Sequence, residues 1–350
     1  MKTKVLFYNK QIGNGGAEKK LLLFGKHLIK MYDFDVAYLS WSNAASDKIS
    51  SMGARHFKYS PDNGHRDSIK AIEDYKPDII HTTRSGEPEE VFDAPLKKFE
   101  KSIPIIESNV FGNHGGVYTY KLPISSEVYG KLLSKKIPSE KMEVLHNPID
   151  KPNRDVGNLR NEFKIPTDAF IFGRISRGDD SVYCNLGIRA YEKFIKVSGP
   201  GNYYYMSLGL PPRIFKDSIG LYNFVGVPET SNADRVAKFY NTINILVHAN
   251  KLGESLGTKI QEAMSYGVPV VTHITPKHFK AHISDLLGRD YNYVAKDTRD
   301  VDVLYGHMRK LYKDKKERMV LGERFITEAQ NRWFPEVIIP KLWGIYKKFI

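Results

Sequence analysis

Residues 248–271, HANKLGESLGTKIQEAMSYGVPVV, determine the fold that this sequence predicts. The preceding run, Ile243 to Val247, predicts a short buried strand, and Gly267 to Val271 predicts a turn that enters another strand. Between them, Ser255-Leu256-Gly257-Thr258 is a glycine-containing segment of the kind that opens a helix. Strand, glycine loop, helix and strand form the parallel α/β unit, in which the helix N-terminus is a ready anion site.

Two glutamates, Glu254 and Glu262, stand eight positions apart around this loop. If the helix starts near Gly257, Glu262 lies roughly 7.5 Å along its axis, at a rise of about 1.5 Å per residue. That is the step from a diphosphate at the helix N-terminus to the sugar of its nucleotide. We therefore expect Glu262 to hold a ribose and Glu254, outside the helix, to hold a group attached beyond the phosphates.

The chain of 350 residues is long for one hydrophobic core and predicts two domains. Strand and helix patterns alternate along both halves, which predicts an α/β fold with doubly wound parallel sheets. The polar segment Lys151–Arg160 contains proline and glycine and is the natural linker, so we expect domains at 1–150 and 151–334. The patterns also predict a strand at Met142–Leu145 and a helix at His278–Leu287.

The composition is that of a globular protein, with 41% hydrophobic and 12% aromatic residues. A single cysteine, Cys184, excludes an internal disulfide and a cysteine metal cluster, and it fits a reducing compartment. The sequence has no run of about 18 apolar residues, which argues against a membrane span. The opening MKTKVLFYNK predicts a first strand and not a signal peptide.

The formal net charge is +13, and residues 301–350 contribute 11 Lys and Arg against 6 Asp and Glu. This excess is typical of a solvated helical surface, but it also suits attraction to anionic lipid or to phosphate-bearing substrates. A nucleic-acid role finds no support, because the basic residues form no compact tract with interleaved aromatics and no known binding motif.

Other predicted strand ends carry residues suited to phosphate. Gly15 and Gly16 lie at a strand-to-helix turn, where glycine lets the backbone approach a ligand and donate its amides. Arg174 ends a second predicted strand and Arg177 follows three residues later. In contrast, Asp33-Phe34-Asp35, formally an Asp-x-Asp metal motif, bridges a helix end and a strand start, so we interpret it as a surface turn and assign no metal.

The pattern Glu254, seven residues, Glu262, with Gly267-Val268-Pro269-Val270-Val271 after it, resembles family 4 of the retaining glycosyltransferases, glycosyl transferases group 1. The resemblance implies a GT-B architecture of two Rossmann-like domains facing across a cleft. Residues 1–150, joined by a C-terminal helix at about 335–350, would bind the acceptor, and residues 151–334 would bind the nucleotide-sugar donor.

The resemblance also implies residue roles. Arg174, Arg177, Glu254 and Asn109 would be catalytic, with Arg177 replacing a lysine that the family has where this chain has Asp179, and Asn109 or His114 replacing a histidine. Contacts to the donor nucleotide would come from Gly15, Gly16, Val227, Ser255, Leu256, Gly257, Thr258 and Glu262.

The predicted function is therefore a retaining, metal-independent glycosyltransferase that moves a hexosyl or pentosyl group from a UDP- or GDP-sugar. Its acceptor is a glycan or a lipid-linked molecule, it needs no cofactor, and it resides in the cytoplasm or at the inner face of an anionic membrane. Two alternatives remain open. One is a sugar-nucleotide epimerase or a phosphorylase on the same fold, although no lysine is recognisably placed for pyridoxal phosphate. The other is a non-catalytic binding protein with a basic surface.

Overall fold

The computed structural model describes residues 2–13, 15–42, 44–60, 62–276 and 278–350, with the backbone alone of Ala17 and Gly64. The chain divides into two compact units. Unit 1 comprises residues 1–150 and 332–350, and unit 2 comprises residues 151–331.

Unit 1 is built on a six-stranded sheet flanked by helices. Its strands are β1 Lys4–Tyr8, β2 Asp35–Ser40, β3 Arg55–Lys58, β4 Ile79–Arg84, β5 Ile105–Asn109 and β6 Tyr120–Pro123. Its first helices are α1 Gly16–Tyr32, α2 Ser46–Ser51, α3 Gly64–Tyr75, α4 Glu90–Phe99 and α5 Ser126–Ser134, and a 3₁₀ turn follows at Ser139–Lys141.

The strand order in unit 1 is β3-β2-β1-β4-β5-β6, and every neighbouring pair is parallel. The central strands β1, β4 and β5 are almost wholly buried, as expected for a sheet covered by helices on both faces. The chain winds outward from β1 to β3 and then resumes at β4 on the other side of β1. Unit 1 therefore reverses its direction of winding between β1 and β4.

Unit 2 repeats this design with a second six-stranded sheet and has two further short strands. Its strands are β7 Phe170–Ile175, β8 Tyr203–Leu208, β9 Phe224–Val227, β10 Ile245–Val247, β11 Gly253–Glu254, β12 Val270–His273, β13 Phe279–Lys280 and β14 Val294–Ala295. Its helices are α6 Leu186–Ser198, α7 Pro212–Ser218, α8 Ala233–Thr242, α9 Thr258–Ser265, α10 Val301–Lys313 and α11 Lys315–Arg332, with a π-helical segment at His282–Leu287.

The main sheet of unit 2 has the order β14-β12-β10-β7-β8-β9, again with parallel neighbours. Strands β11 and β13 form a separate small pair. The chain winds from β7 out to β9 and then returns to β10 on the opposite side of β7. The reversal in unit 2 therefore lies between β7 and β10.

The last helix, α12 (Pro335–Tyr346), belongs to the core of unit 1 although it follows unit 2 in the sequence. Leu342 and Tyr346 are fully buried in the cluster that α1 and the sheet also form. The Tyr346 hydroxyl lies 2.5 Å from Nδ1 of His81, in the middle of β4. Trp343 packs edge-on against Phe34 at 5.1 Å between ring centroids.

The two doubly wound parallel sheets confirm the predicted α/β fold class, but two local predictions were wrong. Residues 142–145 form no strand: Met142 makes one isolated bridge to Lys121, and neighbouring β6 ends at Pro123, which has no N–H to extend a ladder. Residues 278–287 form no continuous helix, because Phe279–Lys280 pairs with Gly253–Glu254 before the π-helical segment begins. Among the described residues, no helix is both long and apolar enough to cross a membrane.

Leu342→Ala tests whether α12 is an integral part of unit 1. Leu342 is fully buried, so its truncation should lower the free energy of unfolding by about 2–5 kcal/mol. The matched control is Leu133→Ala in α5 of the same unit, where the leucine is 49% exposed and the change should stay within about 0.5 kcal/mol. Urea denaturation measures both values. Equal effects would show that α12 does not complete the core.

Candidate functional site

The candidate site of unit 2 lies where its sheet reverses direction. In open α/β sheets, ligands bind outside the carboxyl ends of the strands at such a reversal. Arg174 lies at the carboxyl end of β7, and His248 directly follows β10. The two sides of the reversal therefore supply an arginine and a histidine to one region.

Arg174 is the buried cation of this site. Only 3% of its surface is exposed, and its guanidinium carbon lies 4.0 Å from the centroid of the Tyr183 ring. Its Nη2 donates to the backbone carbonyl of Ala249 at 2.6 Å, whereas Nε and Nη1 have no partner within the described part of the chain. Leaving buried charged donors unpaired is costly, so this arrangement favours the binding of an anion.

Glu254 lies in β11 and is fixed by two neighbours. Its Oε1 accepts hydrogen bonds from Nε2 of His248 and from Nδ2 of Asn250, each at 3.0 Å. Burial alone would raise the pKa of Glu254, but the bonds from His248 and Asn250 outweigh it and hold the pKa below its ordinary value. Glu254 is therefore an ionised acceptor of fixed position.

Two neutral histidines, His282 and His273, also belong to this site. Nε2 of His282 lies 3.0 Å from the carbonyl of His273 and must donate to it. Burial lowers the pKa of His282 to about 4, so its Nδ1 is an acceptor, and this atom has no partner among the described residues. The backbone N–H of Asn250 donates to Nε2 of His273, which leaves the proton of that ring on Nδ1, donating to Ile274.

The N-terminus of α9 reaches the same region. Its N-cap is Gly257, which has a left-handed φ of 97° and offers no side-chain cap to the first helical N–H groups. A Cβ at this position would lie 3.3 Å from Cβ of His282 and 3.6 Å from Cβ of Glu254. Ser255, Leu256, Gly257 and Thr258 thus lead directly from Glu254 into a helix whose amide end is next to both side chains.

Glu262 lies one turn into α9, and its carboxylate contacts both Tyr240 and Lys259. Its Oε2 accepts from the Tyr240 hydroxyl at 2.8 Å and pairs with Nζ of Lys259 at 2.9 Å. About 19% of its side chain is exposed. Burial and the adjacent Glu262 raise the pKa of Tyr240 well above its ordinary value, so that hydroxyl remains a donor.

Arg177 and Val227 lie in unit 2 but outside this cluster of contacts. Arg177 is exposed in the turn after β7. Val227 is buried at the end of β9, which is the edge strand two places from β7.

Gly15 and Gly16 begin α1 in unit 1. The N–H of Gly15 is occupied by the Glu18 carboxylate, which reaches back to it as the acidic partner of a capping box. The φ of Gly15 is −68°, and a Cβ there would collide with that carboxylate. The Gly15 amide is therefore engaged by Glu18, and its contact with the donor nucleotide stays a prediction. Gly16 is the first residue of α1.

Asn109, predicted to be catalytic, is held by hydrogen bonds within its own loop. The residue is fully buried at the end of β5. Its Nδ2 donates to Glu107 at 2.7 Å and to the Asn113 carbonyl at 2.9 Å, and its Oδ1 accepts from the N–H of Gly112 at 2.7 Å. These bonds hold the loop after β5 in place, and the catalytic role of Asn109 stays a prediction.

Sequence reasoning missed the histidines around Glu254. His248 stands in the stretch that determines the fold. Its contact with Glu254, six residues later, depends on how the loop between them folds back. His282 is brought to Gly257 by the pairing of β13 with β11, a tertiary event that leaves no local pattern.

Comparison with known proteins agrees with this geometry. Residues 216–327 match the family model described as Glycosyl transferases group 1. The matched segment contains α8, the loop, α9 and both glutamates, and it confirms the resemblance to the GT-B glycosyltransferases. Comparison with the curated proteins found none that matches.

Solved structures share the fold over almost the whole chain. A glycosyltransferase from Rickettsia africae ESF-5 has a TM-score of 0.77 at 14% identity, covering 99% of this chain and 98% of that one. Anabaena HepE in complex with UDP and glucose has a TM-score of 0.75 at 15% identity, covering 99% of both chains. A UDP-GlcNAc 2-epimerase from Neisseria meningitidis, bound to UDP-GlcNAc, has a TM-score of 0.63 at 14% identity, covering 98% of this chain and 100% of that one. The GT-B fold class is thereby confirmed.

Acid should destabilise unit 2 through His282. Its pKa is about 4 in the folded chain and about 6.5 when unfolded, so the unfolded state takes up a proton that the folded state excludes. The free energy of unfolding is therefore largest above pH 6.5, and it falls by about 3 kcal/mol in total as the pH drops towards 4.

The measurement compares the free energy of unfolding of the wild type with that of His282→Gln between pH 7 and pH 4.5. Glutamine keeps an N–H donor but does not titrate, so the advantage of the wild type should shrink steadily on acidification. A difference that stays constant with pH would mean that His282 takes up a proton as readily in the folded chain as in the unfolded chain, and would contradict the prediction.

Proposed function

We propose that this protein is a glycosyltransferase that moves a sugar from a nucleoside-diphosphate donor, UDP- or GDP-linked, to a glycan or lipid-linked acceptor. The observation that carries the proposal is the buried Arg174, two of whose donors have no partner among the described residues, in the region of unit 2 where the N-terminus of α9 lies. An arginine grips phosphate through two parallel N–H groups, and a helix N-terminus adds backbone amides and its dipole. Together they suit a diphosphate.

The two carboxylates then recognise the sugars at either end of that diphosphate. Both are acceptor groups, so each suits a hydroxyl of the ligand. Glu262, inside α9, would accept from the ribose, and Glu254, at the loop, would accept from the sugar that is transferred. The hydrogen bonds from Tyr240 and Lys259 to Glu262, and from His248 and Asn250 to Glu254, orient these carboxylates before the donor arrives.

The reaction breaks the bond between the anomeric carbon and the diphosphate oxygen, and the electron pair leaves with the nucleoside diphosphate. The acceptor oxygen forms the new bond, and its proton passes to the departing diphosphate. Negative charge grows on the leaving oxygens, and fixed donors aimed at such charge contribute most to catalysis. Arg174, Arg177 and the amides of Gly257 and Thr258 fill this role in the proposal.

These cations and amides supply positive charge from the chain itself, so the proposed reaction needs no divalent metal. Retention of anomeric configuration, with the acceptor attacking on the face of the leaving group, is part of the proposal by analogy with the resembled family. The same analogy assigns the donor to unit 2 and the acceptor to unit 1. The net charge of +13 supports a further proposal, attraction of the protein to an anionic membrane surface in the cytoplasm.

An epimerase is the second candidate, because the Neisseria epimerase shares the fold. Incubating the protein with a nucleotide-sugar alone separates the two, since an epimerase converts its substrate without an acceptor. A screen of UDP- and GDP-sugars for thermal stabilisation identifies the donor, because a ligand that binds only the folded state raises its stability.

Glu262→Ala should weaken the binding of the nucleotide by about 10–100-fold, the value of one or two hydrogen bonds to a charged group. Glu317→Ala is the matched control, because Glu317 also accepts from a tyrosine hydroxyl, that of Tyr293 at 2.8 Å, elsewhere in unit 2. Calorimetric titration with UDP and GDP measures both. Equal affinity in Glu262→Ala and the wild type would remove Glu262 from the nucleotide site.

Arg174→Ala should lower kcat by about 10²–10³-fold, as expected for the loss of one donor to the leaving group. Arg174→Lys should recover part of this rate, because lysine keeps the charge without the two-pronged geometry. The control is Arg309→Ala, at an exposed position of α10. Steady-state transfer assays measure kcat for all three variants. Normal turnover in Arg174→Ala would overturn the assignment of Arg174 as a donor to the leaving group.

A further inference from the structure

The turn after β7 is attached to the loop that leads from β10 to Glu254. Residues 179–183 form this turn, which ends at Tyr183. Tyr183 makes an isolated antiparallel bridge to Asn250. Lys251, the next residue of the loop, donates its backbone N–H to a carbonyl of the turn at 3.0 Å and its Nζ to another at 2.8 Å. The position of Tyr183 is therefore fixed by the same loop that leads to the candidate carboxylate.

The side chain of Asp179 stabilises this turn from within. Its Oδ1 accepts the N–H of Ser181 at 2.9 Å, an arrangement that aspartate commonly makes in turns. Its backbone carbonyl accepts the N–H of Tyr183 at 3.0 Å. Asp179 therefore contributes to the local fold that places Tyr183.

The ring of Tyr183 lies against the guanidinium of Arg174, 4.0 Å from ring centroid to guanidinium carbon. Both residues are buried. Burial raises the pKa of Tyr183 against the opposing effect of Arg174, so the phenol stays neutral at pH 7. Its hydroxyl has no hydrogen-bond partner among the described residues. The ring, and not the hydroxyl, is therefore the part of Tyr183 that contacts the cation.

Two contacts together restrict the guanidinium of Arg174. Nη2 donates to the Ala249 carbonyl at 2.6 Å, and the Tyr183 ring packs against the group. A planar group that is bonded at one edge and stacked on a ring has few orientations left. Nε and Nη1, which find no partner in the described part of the chain, therefore keep one direction before any ligand arrives. Donors that are fixed in advance bind their ligand at a lower entropic cost.

Asn250 connects this arrangement with Glu254. Its backbone forms the bridge to Tyr183, whereas its side chain donates to Oε1 of Glu254 at 3.0 Å. Because the bridge uses the backbone, it is retained when the side chain of Tyr183 is replaced. A substitution at Tyr183 should therefore change the orientation of Arg174 without releasing Glu254.

We propose that Tyr183 is a positioning residue of the leaving-group site: its ring holds the guanidinium of Arg174 so that Nε and Nη1 point at the diphosphate. The effect of Tyr183 on sugar transfer rests on the proposed transferase function. Its effect on the binding of a nucleoside diphosphate is measured without any transfer, so the two proposals are tested apart.

Two substitutions separate the ring of Tyr183 from its hydroxyl. Tyr183→Leu removes the ring, so the affinity for UDP or GDP should fall about tenfold, as expected for the loss of a desolvated cation–π contact. Tyr183→Phe keeps the ring and should recover most of that affinity. Calorimetric titration measures each value. A loss in Tyr183→Phe equal to that in Tyr183→Leu would overturn the proposal.

Phe325→Leu is the matched control. Phe325 is also fully buried in unit 2 and its ring lies 5.0 Å from the guanidinium of Arg324, but both residues belong to α11. Its nucleotide affinity should stay within about twofold of that of the wild type. An equal loss of affinity in Phe325→Leu and Tyr183→Leu would reveal a general destabilisation and overturn the proposal. Circular dichroism shows whether each variant is folded, and Tyr183→Met replaces Tyr183→Leu if that variant is not.

A double-mutant cycle with Arg174→Ala tests whether Tyr183 acts through the arginine. Tyr183→Leu should lower the affinity about tenfold when Arg174 is present, and by less than about twofold in Arg174→Ala, where no guanidinium remains to be held. A purely structural role of Tyr183 would give the same loss in both backgrounds. Such additive effects would contradict the proposal.

Transfer assays distinguish the failure of this proposal from the failure of the transferase proposal. In a functional transferase, Tyr183→Leu should lower kcat about tenfold and leave KM for the acceptor unchanged. Coupled effects on the binding of UDP or GDP, without sugar transfer, would refute the transferase and leave the role of Tyr183 in place. Sugar transfer with additive effects of the two substitutions would do the reverse. A wild type that binds neither nucleotide would refute both proposals.

Discussion

The buried guanidinium of Arg174 is the interaction on which the interpretation of unit 2 depends. Burial of a cation is tolerated when its donors are satisfied. Here the Ala249 carbonyl satisfies one donor, while two others find no partner in the part of the chain that the structure describes. That carbonyl belongs to the segment directly after β10, so the bond joins the two sides of the sheet reversal. The arginine thereby fixes where Glu254 and the start of α9 lie relative to β7.

Protonation states in this cluster follow from burial and from hydrogen bonding, and they divide its members into distinct roles. Glu254 is held ionised by His248 and Asn250 against the opposing effect of burial, whereas burial keeps His282 neutral. Glu254 and Nδ1 of His282 are therefore acceptors, whereas Arg174 and the amides at the start of α9 are donors. Such a separation suits a ligand with hydroxyls at one end and a diphosphate at the other.

Much of the fold could be predicted from the sequence because its signals are local. The buried strand β10 and the helix α9 follow from hydrophobic period and glycine placement. The hydrogen bonds of Asn109 could not be predicted, because the offset from a strand end does not reveal which way a side chain turns, and here its Nδ2 donates to Glu107, two residues earlier.

The position of α12 has a consequence for how the chain acquires its structure during synthesis. Unit 1 begins with the first strand of the chain, but its core contains Leu342 and Tyr346, which leave the ribosome after all of unit 2. Unit 1 therefore cannot complete its core until α12 has been synthesised. The surface that α12 covers stays exposed while unit 2 forms its sheet. Unit 1 is begun before unit 2 and completed after it, so its exposed apolar surface is one that chaperones would meet on the nascent chain.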